Sequence, residues 1–469
     1  MKKIPVLLAF ILLSAFGTWA KSGPDQPIIV FLNVNVIDAT GSPVQPGMMV
    51  IIKGDRITYV GKTARVSFPP NTKIVDGRNK FLIPGLWDMH VHTIFGDWIP
   101  GGKDVSLPLF VANGVTGIRD MGGDLDTLLQ WRSQTSSGAI LGPRMIISGP
   151  MLDGPKSRFP SSVSISTAEE GRKAVDDLKA KGIDFIKVQS FITRDGYFGV
   201  VNETKKLGIT LVGHVPDAIR ASEAIDAGQK SIEHLTGIFE GASTAEDSFI
   251  HGAAKGPKSY LDTYSGALAT ALISRMARNH TWLVPTLVWE RGQWLIDDID
   301  YSRDPALKYA PASWQKKSWP TFTKGILAEL DTDPVAVRRQ FVQKEFEIVH
   351  AMRKAGVPIM AGTDTAAAVA VLPGFSLHTE LECFVQAGFT PMEALQTATL
   401  NPAKFLGLQS QMGTIEKGKL ADLVLLDANP LEDIKNTRKI AAVVLSGRLI
   451  ERAELDQVLN EVAAYAGSH

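Results

Sequence analysis

The chain has 469 residues, of which 45% are hydrophobic and 21% are charged, a composition typical of a globular protein with a large core. Lysine and arginine together number 49, as do aspartate and glutamate, so the formal net charge is zero. This balance gives no support to a nucleic-acid partner or to binding at a membrane surface. The length fits two or three domains, or one barrel of roughly 250 residues with additions.

The first twenty residues have the pattern of a secretory signal. Lys2 and Lys3 precede an apolar run over 4–16, and Thr18 and Ala20 supply the small residues that a signal peptidase reads. The run is short for a transmembrane helix, and no cysteine follows it to carry a lipid. We therefore expect cleavage near Ala20 and export to the periplasm or the medium, without a stable membrane anchor. The alternative is an uncleaved N-terminal anchor.

Cys383 is the only cysteine of the chain. An intramolecular disulfide, a cysteine-based zinc site and cysteine-pair redox chemistry are therefore excluded. A metal ion in this protein must be held by histidine, by carboxylate or by a less usual ligand.

Both ends of the chain have a β-rich texture. Residues 28–37, 48–52 and 56–60 read as short strands, with a turn at Gly54 and Asp55. Residues 423–426, 440–445 and 448–450 have the same character. This texture predicts a small β-sandwich domain assembled from residues 27–80 and 409–455.

Between these ends, residues 81–408 alternate apolar strands with amphipathic helices, which predicts a parallel sheet. Thr167 and Glu170 have the spacing of a capping box at a helix start. Several predicted helices end at a glycine that suits a left-handed cap, namely Gly182, Gly208, Gly228, Gly356 and Gly388. The alternation indicates an α/β fold of the (β/α)8 TIM-barrel type, with its active site at the C-terminal strand ends. The predicted strands are 86–92, 115–121, 144–149, 185–189, 210–214, 231–234, 282–287 and 358–362.

Two stretches interrupt the alternation. Residues 240–266 are rich in glycine, alanine and serine, and residues 294–333 carry Tyr301, Tyr309, Trp314 and Trp319. Both follow predicted strands on the side where barrel loops face the site, so they are candidates for lids or substrate walls. A structural or oligomer-contact insertion is the alternative.

Histidines gather at the ends of the predicted strands. His90 and His92 are two residues apart on one strand, so both imidazoles face the same side and can share a divalent metal ion. Alone this pair is weak evidence, because His-x-His also occurs by chance. The ends of other predicted strands carry Lys187, His214, His234 and Asp364. Since strand ends meet on one rim of a barrel, these side chains predict a metal site there.

The motifs around these residues carry a family resemblance. From its first β-rich segment through Arg448, the chain resembles the amidohydrolase superfamily of metal-dependent hydrolases. Within it, the chain is similar to the branch of imidazolonepropionase-like proteins and Xaa-Pro dipeptidases. The matching segments are 84–92 (PGLWDMHVH), 186–188 (IKV), 213–215 (GHV), 233–235 (EHL), 361–364 (AGTD), 401–403 (NPA) and 413–423 (GTIEKGKLADL).

The resemblance implies a site for two divalent metal ions. The first ion would be bound by His90, His92 and Asp364. The second would be bound by His214 and His234. Nitrogen and oxygen ligands suit zinc, which we expect, and also cobalt, manganese or iron.

Lys187 matches the position of the carboxylated lysine that bridges the two metals in this superfamily. An ordinary lysine, with a pKa of ~10.4, would be a cation beside two divalent ions. Addition of carbon dioxide, from bicarbonate, gives an anionic carbamate that can bridge metals roughly 3.5–4 Å apart. From the residue alone, the alternative is a strand-end lysine with its ammonium group in water.

In the family pattern, Asp364 has a catalytic role in addition to binding a metal ion. It would accept a proton from the bridging water, whose pKa the metals lower from about 15.7 toward ~7. It would then pass that proton to the leaving nitrogen as a general acid. The alternative is an aspartate that caps the helix after it.

Three residues are candidate substrate contacts. Arg119 could bind a carboxylate, or pair with an acidic neighbour such as Asp120 or Asp88. Tyr197 could stabilise an oxyanion and Trp289 could wall an apolar pocket, with packing as the alternative for both. Three other polar side chains could lie at the rim of the barrel, among the residues around the site, or in solvent. They are Arg194, His251 and His378.

These features predict an enzyme that cleaves an amide bond in a small peptide or an N-acyl amino acid, by attack of a metal-bridged hydroxide. A cyclic amidase, a lactonase, or a xenobiotic amide or ester hydrolase is the alternative, because the same groups serve all these reactions. A second class is a non-catalytic binding protein that kept the barrel. The expected partner is a small molecule or short peptide, and similar proteins suggest a homo-oligomer.

Overall fold

The computed structural model describes residues 27–94, 101–159, 161–330 and 333–469. Its strands are β1 (Ile28–Val36), β2 (Gln45–Lys53), β3 (Arg56–Lys62), β4 (Lys73–Asp76), β5 (Phe81–Pro84), β6 (Leu86–Val91), β7 (Val115–Asp120), β8 (Arg144–Ile147), β9 (Leu152–Asp153), β10 (Val163–Ser164), β11 (Phe185–Val188), β12 (Thr210–Gly213), β13 (Ser231–Glu233), β14 (Trp282–Val284), β15 (Leu423–Leu426), β16 (Ile440–Leu445) and β17 (Arg448–Glu451).

The helices are α1 (Leu107–Ala112), α2 (Leu125–Ser137), α3 (Ala168–Ala180), α4 (Arg194–Leu207), α5 (Ala221–Asp226), α6 (Ile238–Gly241), α7 (Glu246–Ile250), α8 (Gly256–Thr263), α9 (Gly266–Asn279), α10 (Leu287–Trp294), α11 (Trp319–Leu330), α12 (Val335–Lys354), α13 (Phe375–Gln386), α14 (Pro391–Thr397), α15 (Leu400–Phe405) and α16 (Arg452–Ser468). Short helical turns cover Gly102–Ser106, Pro305–Tyr309, Trp314–Ser318 and Ile434–Arg438.

Strands from both ends of the chain lie in one sheet. Its hydrogen-bonded order is β17-β16-β15-β5-β1-β2-β3, with β4 paired to β1. Antiparallel pairing of β15 with β5, with Val424 opposite Ile83, joins the two ends. The sheet buries an apolar cluster that includes Val34, Val50 and Val444. Its separation as a β-sandwich domain of residues 27–80 and 409–455 stays a prediction.

The central part of the chain has two parallel sheets, β6-β7-β8 and β10-β9-β11-β12-β13-β14. The segment 358–365 lies between them: Met89 N donates to the carbonyl of Ala361, and Met360 N donates to that of Leu283, each at 2.9 Å. The arrangement is TIM-barrel-like, whereas a single closed sheet of eight strands stays a prediction.

The predicted strand at 358–362 is wrong in its extent. The structure has only isolated parallel bridges there, Leu283 with Ile359 and Val91 with Thr365. Asp364 lies between the two bridges with φ of 56°, a left-handed conformation that interrupts extended pairing. The same break turns the Asp364 side chain away from the regular alternation of a strand.

Helices cover the outer faces of the parallel strands. Val175 of α3 and Val349 of α12 join Ile186 of β11 in the largest apolar cluster. Thr167 and Glu170 form the predicted capping box, each side chain accepting a backbone N–H of the other. The five glycines predicted to end helices all have positive φ, between 64° and 87°.

The two interrupting stretches are helical and well packed. Residues 240–266 contain α7 and α8, and residues 294–333 contain α11 and two of the short turns. Trp314 is fully buried in a cluster with Val105, Leu109 and Val462 of α16. The sequence analysis did not predict α16. The packing of Trp314 favours a structural role for this stretch over that of a mobile lid.

None of the helices in the described ranges has the length and apolar character needed to cross a membrane. The predicted signal segment, residues 1–20, lies outside the described residues. Export of the protein and its assembly into a homo-oligomer stay predictions. Cys383 is a buried free thiol, in agreement with the exclusion of a disulfide.

Candidate metal centre

Four imidazoles gather where the parallel strands end. His90 is in β6 and His92 follows it, whereas His214 and His234 directly follow β12 and β13. The ring centres lie 4.7 Å apart for His90 and His234, 4.9 Å for His214 and His234, and 5.6 Å for His90 and His92. The structure therefore brings together all four histidines that the sequence predicts as metal ligands.

Asp364 lies among these rings. Its Oδ1 is 3.4 Å from His90 Nε2 and 3.2 Å from His92 Nε2, and its Oδ2 is 3.9 Å from His234 Nε2. Ligand atoms of His90, His234 and Asp364 all lie within 4.8 Å of one another, as a shared metal ion requires. All three side chains are buried.

The protein binds the Nδ1 atom of each imidazole, and the Nε2 atoms of His90, His92 and His234 lie near Asp364. His90 Nδ1 is 2.9 Å from Glu233 Oε2, and His92 Nδ1 is 2.9 Å from the carbonyl oxygen of Gly122. Because a carboxylate and a carbonyl only accept, both Nδ1 atoms carry the proton. Two hydroxyls hold the other Nδ1 atoms: Ser190 Oγ at 2.8 Å from His214, and Thr286 Oγ1 at 2.6 Å from His234.

Burial favours the neutral, metal-binding form of His90, His214 and His234. Burial lowers the pKa of His234 to about 3. Burial, with the neighbouring charge of Lys187, lowers the pKa values of His90 and His214 well below their usual range. A neutral ring whose Nδ1 is held by a hydrogen bond can bind a metal ion through its Nε2 lone pair without first losing a proton.

Lys187 is 1% exposed on β11, the strand that pairs with β12. Burial lowers its pKa to about 8, although the charges of Glu233 and Asp364 oppose that change. The lysine faces the same acidic and imidazole groups that form the cluster. It is therefore placed within the site, as predicted from its position in the strand order.

Arg119 does not act as the predicted clamp for a substrate carboxylate. It is fully buried, and its Nη2 donates to both oxygens of Glu233 at 2.8 Å. Its Nε donates to the carbonyl of Met89 at 2.6 Å. Its carboxylate partner is Glu233, not Asp120 or Asp88, so the guanidinium holds the group that in turn orients His90.

Two positioning carboxylates were missed by the sequence analysis. Glu233 links Arg119 to His90, as described above. Asp88 accepts hydrogen bonds from Thr363 N at 3.0 Å and Thr363 Oγ1 at 2.7 Å, which fixes the segment that leads into Asp364. A usable signal was present for Asp88, which lies between apolar residues of a strand, where a buried charge needs a partner.

Tyr197 is in α4, not in a loop, and is fully buried. Its hydroxyl donates to Gln229 Oε1 at 3.0 Å, and Gln229 Nε2 donates to the carbonyls of Gly213 at 2.9 Å and His214 at 3.1 Å. The predicted oxyanion role is therefore replaced by a supporting one, in which Tyr197 and Gln229 hold the strand end that carries His214.

Trp289 is the predicted substrate contact that lies beside the cluster. Its ring is centred 4.9 Å from that of His234, at an angle of 38°. Its Nε1 is buried and has no hydrogen-bond partner among the described residues. The remaining polar candidates lie elsewhere: Arg194 pairs with Glu223, and His251 is exposed with Nδ1 2.6 Å from the carbonyl of Asp247.

His378 is on α13 and is buried, not exposed on the surface of that helix. Its Nδ1 is 2.9 Å from Thr437 Oγ1, and its Nε2 is 3.1 Å from the carbonyl oxygen of Asn113. Burial, with the nearby charge of Arg438, lowers its pKa to about 3.

Replacing His378 by glutamine should reduce the acid sensitivity of the fold. The native pKa lies below the unfolded value of ~6.5, so below that pH the unfolded chain gains a proton that the native state does not. Stability should fall by about 2 kcal/mol between pH 7 and pH 5 from this residue alone. Urea midpoints at both pH values measure it. His251→Gln, at an exposed site, is the matched control, and equal acid sensitivity in wild type and His378→Gln would contradict the assignment.

Parallel strands with buried imidazoles and a carboxylate at their ends offer a candidate metal site on a TIM-barrel-type α/β fold. The profile of the Amidohydrolase family matches residues 81–450. The chain belongs to this family and is a hydrolase that acts on carbon–nitrogen bonds.

Characterised relatives are distant. An ochratoxinase from Aspergillus niger is 25% identical over 468 residues, covering 87% of this chain and 83% of the relative. An imidazolonepropionase from Pseudomonas syringae pv. tomato is 24% identical over 397 residues, covering 80% and 86%. A solved Xaa-Pro dipeptidase with bound methionine in its active site has a TM-score of 0.66 at 22% identity, covering 90% of this chain and 100% of that one. The predicted resemblance to the imidazolonepropionase and Xaa-Pro dipeptidase branch is confirmed.

Proposed function

We propose that this protein hydrolyses the amide bond of a small peptide or an N-acyl amino acid with two divalent metal ions, zinc in the first instance. His90, His92 and Asp364 would hold one ion, and His214 and His234 the other. A carbamate formed on Lys187 would bridge them. The observation that carries the proposal is the convergence of three imidazoles, those of His90, His92 and His234, on the buried carboxylate of Asp364. The ring of His214 lies against that of His234.

The residues present fit metal ions. Within the described residues, His90 Nε2 and Asp364 Oδ1 are buried without a hydrogen-bond partner. An unsatisfied buried polar atom costs about 1–3 kcal/mol, and a cation between these atoms would remove that cost. When bound, divalent ions polarise a carbonyl oxygen and make water more acidic.

The chain's own groups supply positioning and proton transfer. Asp364 Oδ2, on the side of His234, is placed to take a proton from the attacking water and to deliver it to the leaving nitrogen. Glu233 and Gly122 keep the rings of His90 and His92 in one orientation, so the ligands need no rearrangement. Burial of the cluster strengthens each of these electrostatic interactions.

A cyclic amide, a lactone, or a xenobiotic amide or ester is the second candidate. The relatives named ochratoxinase and imidazolonepropionase favour this second candidate, because neither name refers to a peptidase. The same carboxylate and imidazoles would serve these substrates.

Metal-reconstituted protein should hydrolyse members of a panel of dipeptides and N-acyl amino acids faster than cyclic amides and lactones. Product release and bound metal are measured on the same preparation. Turnover of lactones or cyclic amides without cleavage of any dipeptide or N-acyl amino acid would replace the first candidate by the second. Fewer than one metal ion per chain after addition of zinc and bicarbonate, with no turnover, would support a non-catalytic binding protein instead.

A further inference from the structure

We propose that the side chains of Asp153 and Gln189 form a recognition site for a primary ammonium group of the substrate, next to the metal centre. This inference rests on the proposed amide hydrolysis and narrows its substrates to amino acid amides and peptides with a free amino terminus.

Both side chains point to the same side of the sheet as Lys187. Val188 of β11 and Leu152 of β9 pair with each other, and both are in the apolar cluster beneath the helices. Since successive side chains of a strand alternate between its faces, Lys187 and Gln189 point to the opposite face, as does Asp153. Asp153 and Gln189 therefore face the side that carries the metal ligands.

Each of the two side chains offers an oxygen that the protein does not satisfy. Asp153 is fully buried; its Oδ1 accepts from Gly154 N at 2.9 Å and Phe191 N at 2.7 Å. In the described parts of the chain, its Oδ2 has no hydrogen-bond partner, and neither does Oε1 of Gln189, which is 7% exposed. Two buried acceptors without protein donors, on neighbouring segments, suit a ligand that donates hydrogen bonds.

The segment that carries Gln189 also contacts a candidate metal ligand. Ser190 follows Gln189, and its hydroxyl contacts His214 Nδ1. The carbonyl of Ser190 accepts the N–H of Asp217 at 2.9 Å, which places this exposed aspartate on the adjoining loop. A ligand entering past Asp217 would meet one carboxylate at the surface and a second, Asp153, inside.

The charged groups around Asp153 favour a cation. Arg119 forms an ion pair with Glu233, and Arg158 forms one with Glu329 at the surface. In the proposed carbamate form, Lys187 would contribute a negative charge that offsets part of the positive charge of the two metal ions. A primary ammonium group has three donors, enough for Asp153 Oδ2 and Gln189 Oε1 together. An N-acyl group has neither the charge nor that number of donors.

Calorimetric titration of the metal-loaded enzyme with L-leucinamide and with 4-methylpentanamide, the same amide without the amino group, tests the site. L-Leucinamide should bind at least about tenfold more tightly. In Asp153→Asn, where the amide can keep the two backbone hydrogen bonds but presents an NH2 group in place of Oδ2, the difference should fall within about twofold. Ammonia released in the same samples measures hydrolysis separately.

Asp176→Asn, which removes an exposed charge in the middle of α3, is the control and should keep the wild-type preference. Equal affinity of the two compounds for the wild type, no detectable binding of L-leucinamide, or a preference that survives in Asp153→Asn would overturn the inference. Selective binding without ammonia release would support the inference and count against amide hydrolysis. Ammonia release without selective binding would overturn the inference and support amide hydrolysis.

Discussion

Replacing Asp364 by asparagine is expected to lower kcat by about 10²–10⁴-fold while bound metal is largely retained. Asparagine keeps an oxygen at the position of Oδ1, which lies 3.2 Å from His92 Nε2, so a ligand atom remains. It cannot accept and return a proton near neutral pH, so the transfer from water to the leaving nitrogen is lost. Turnover of the best panel substrate and metal content by mass spectrometry measure the two effects.

The controls separate chemistry from folding. Asp176→Asn removes a carboxylate of the same size from an exposed helix position and should leave kcat unchanged. The positive φ of Asp364, 56°, suits asparagine as well as aspartate, so the exchange adds little backbone strain. A rate within a few-fold of wild type, with metal retained, would remove Asp364 from the proton-transfer role.

The sequence was sufficient to bring the candidate ligands together because their placement follows local rules. His90 and His92 share a face since they are two residues apart on a strand, and His214 and His234 each follow directly on a short apolar strand. Once the alternation of strands and helices indicates a barrel, these positions fall on one rim. Terminal strands such as Leu423–Leu426 and Ile440–Leu445 were likewise predicted with their observed bounds.

The supporting contacts could not be predicted in this way, because they join positions far apart in the chain. Arg119 meets Glu233 across 114 residues, and Asp88 meets Thr363 across 275. Nothing in the local sequence of Arg119 distinguishes a buried partner of Glu233 from a clamp for substrate. The choice is made by the tertiary fold, which brings Arg119 of β7 into contact with Glu233 of β13 although the two strands belong to different sheets.

The observed end of the predicted eighth strand, like the supporting contacts, is not set by local periodicity. Periodicity predicts an extended run at 358–362, and the backbone is extended enough to bridge Leu283 with Ile359. The left-handed residue Asp364 then interrupts the pairing, at a conformational cost of order 1–3 kcal/mol. His234, with φ of 59°, has the same conformation. Two candidate metal ligands in a disfavoured backbone conformation indicate that the surrounding contacts maintain the position of their side chains and not regular strand structure.

Replacing Lys187 by alanine is expected to reduce bound metal from about two ions per chain to one or fewer, with a matching loss of turnover. Alanine leaves a cavity at a position only 1% exposed, and no other described side chain can supply a bridging anion from that strand. Metal content measured on protein purified without chelator, with and without added bicarbonate, reports the loss. Lys206→Ala, an exposed lysine that pairs with Glu203, is the control and should keep wild-type metal content.

Chemical rescue distinguishes a bridging carbamate from a lysine that only supports the fold. A short carboxylate such as acetate or propionate can enter the cavity left in Lys187→Ala and offer two oxygens where the carbamate would have been. Partial recovery of metal content and rate in proportion to carboxylate concentration is expected, and the wild type grown with ¹³C-bicarbonate should show one labelled carbamate carbon. A stable, folded Lys187→Ala protein with full metal content and full activity would show that neither metal binding nor turnover needs a bridging group on Lys187.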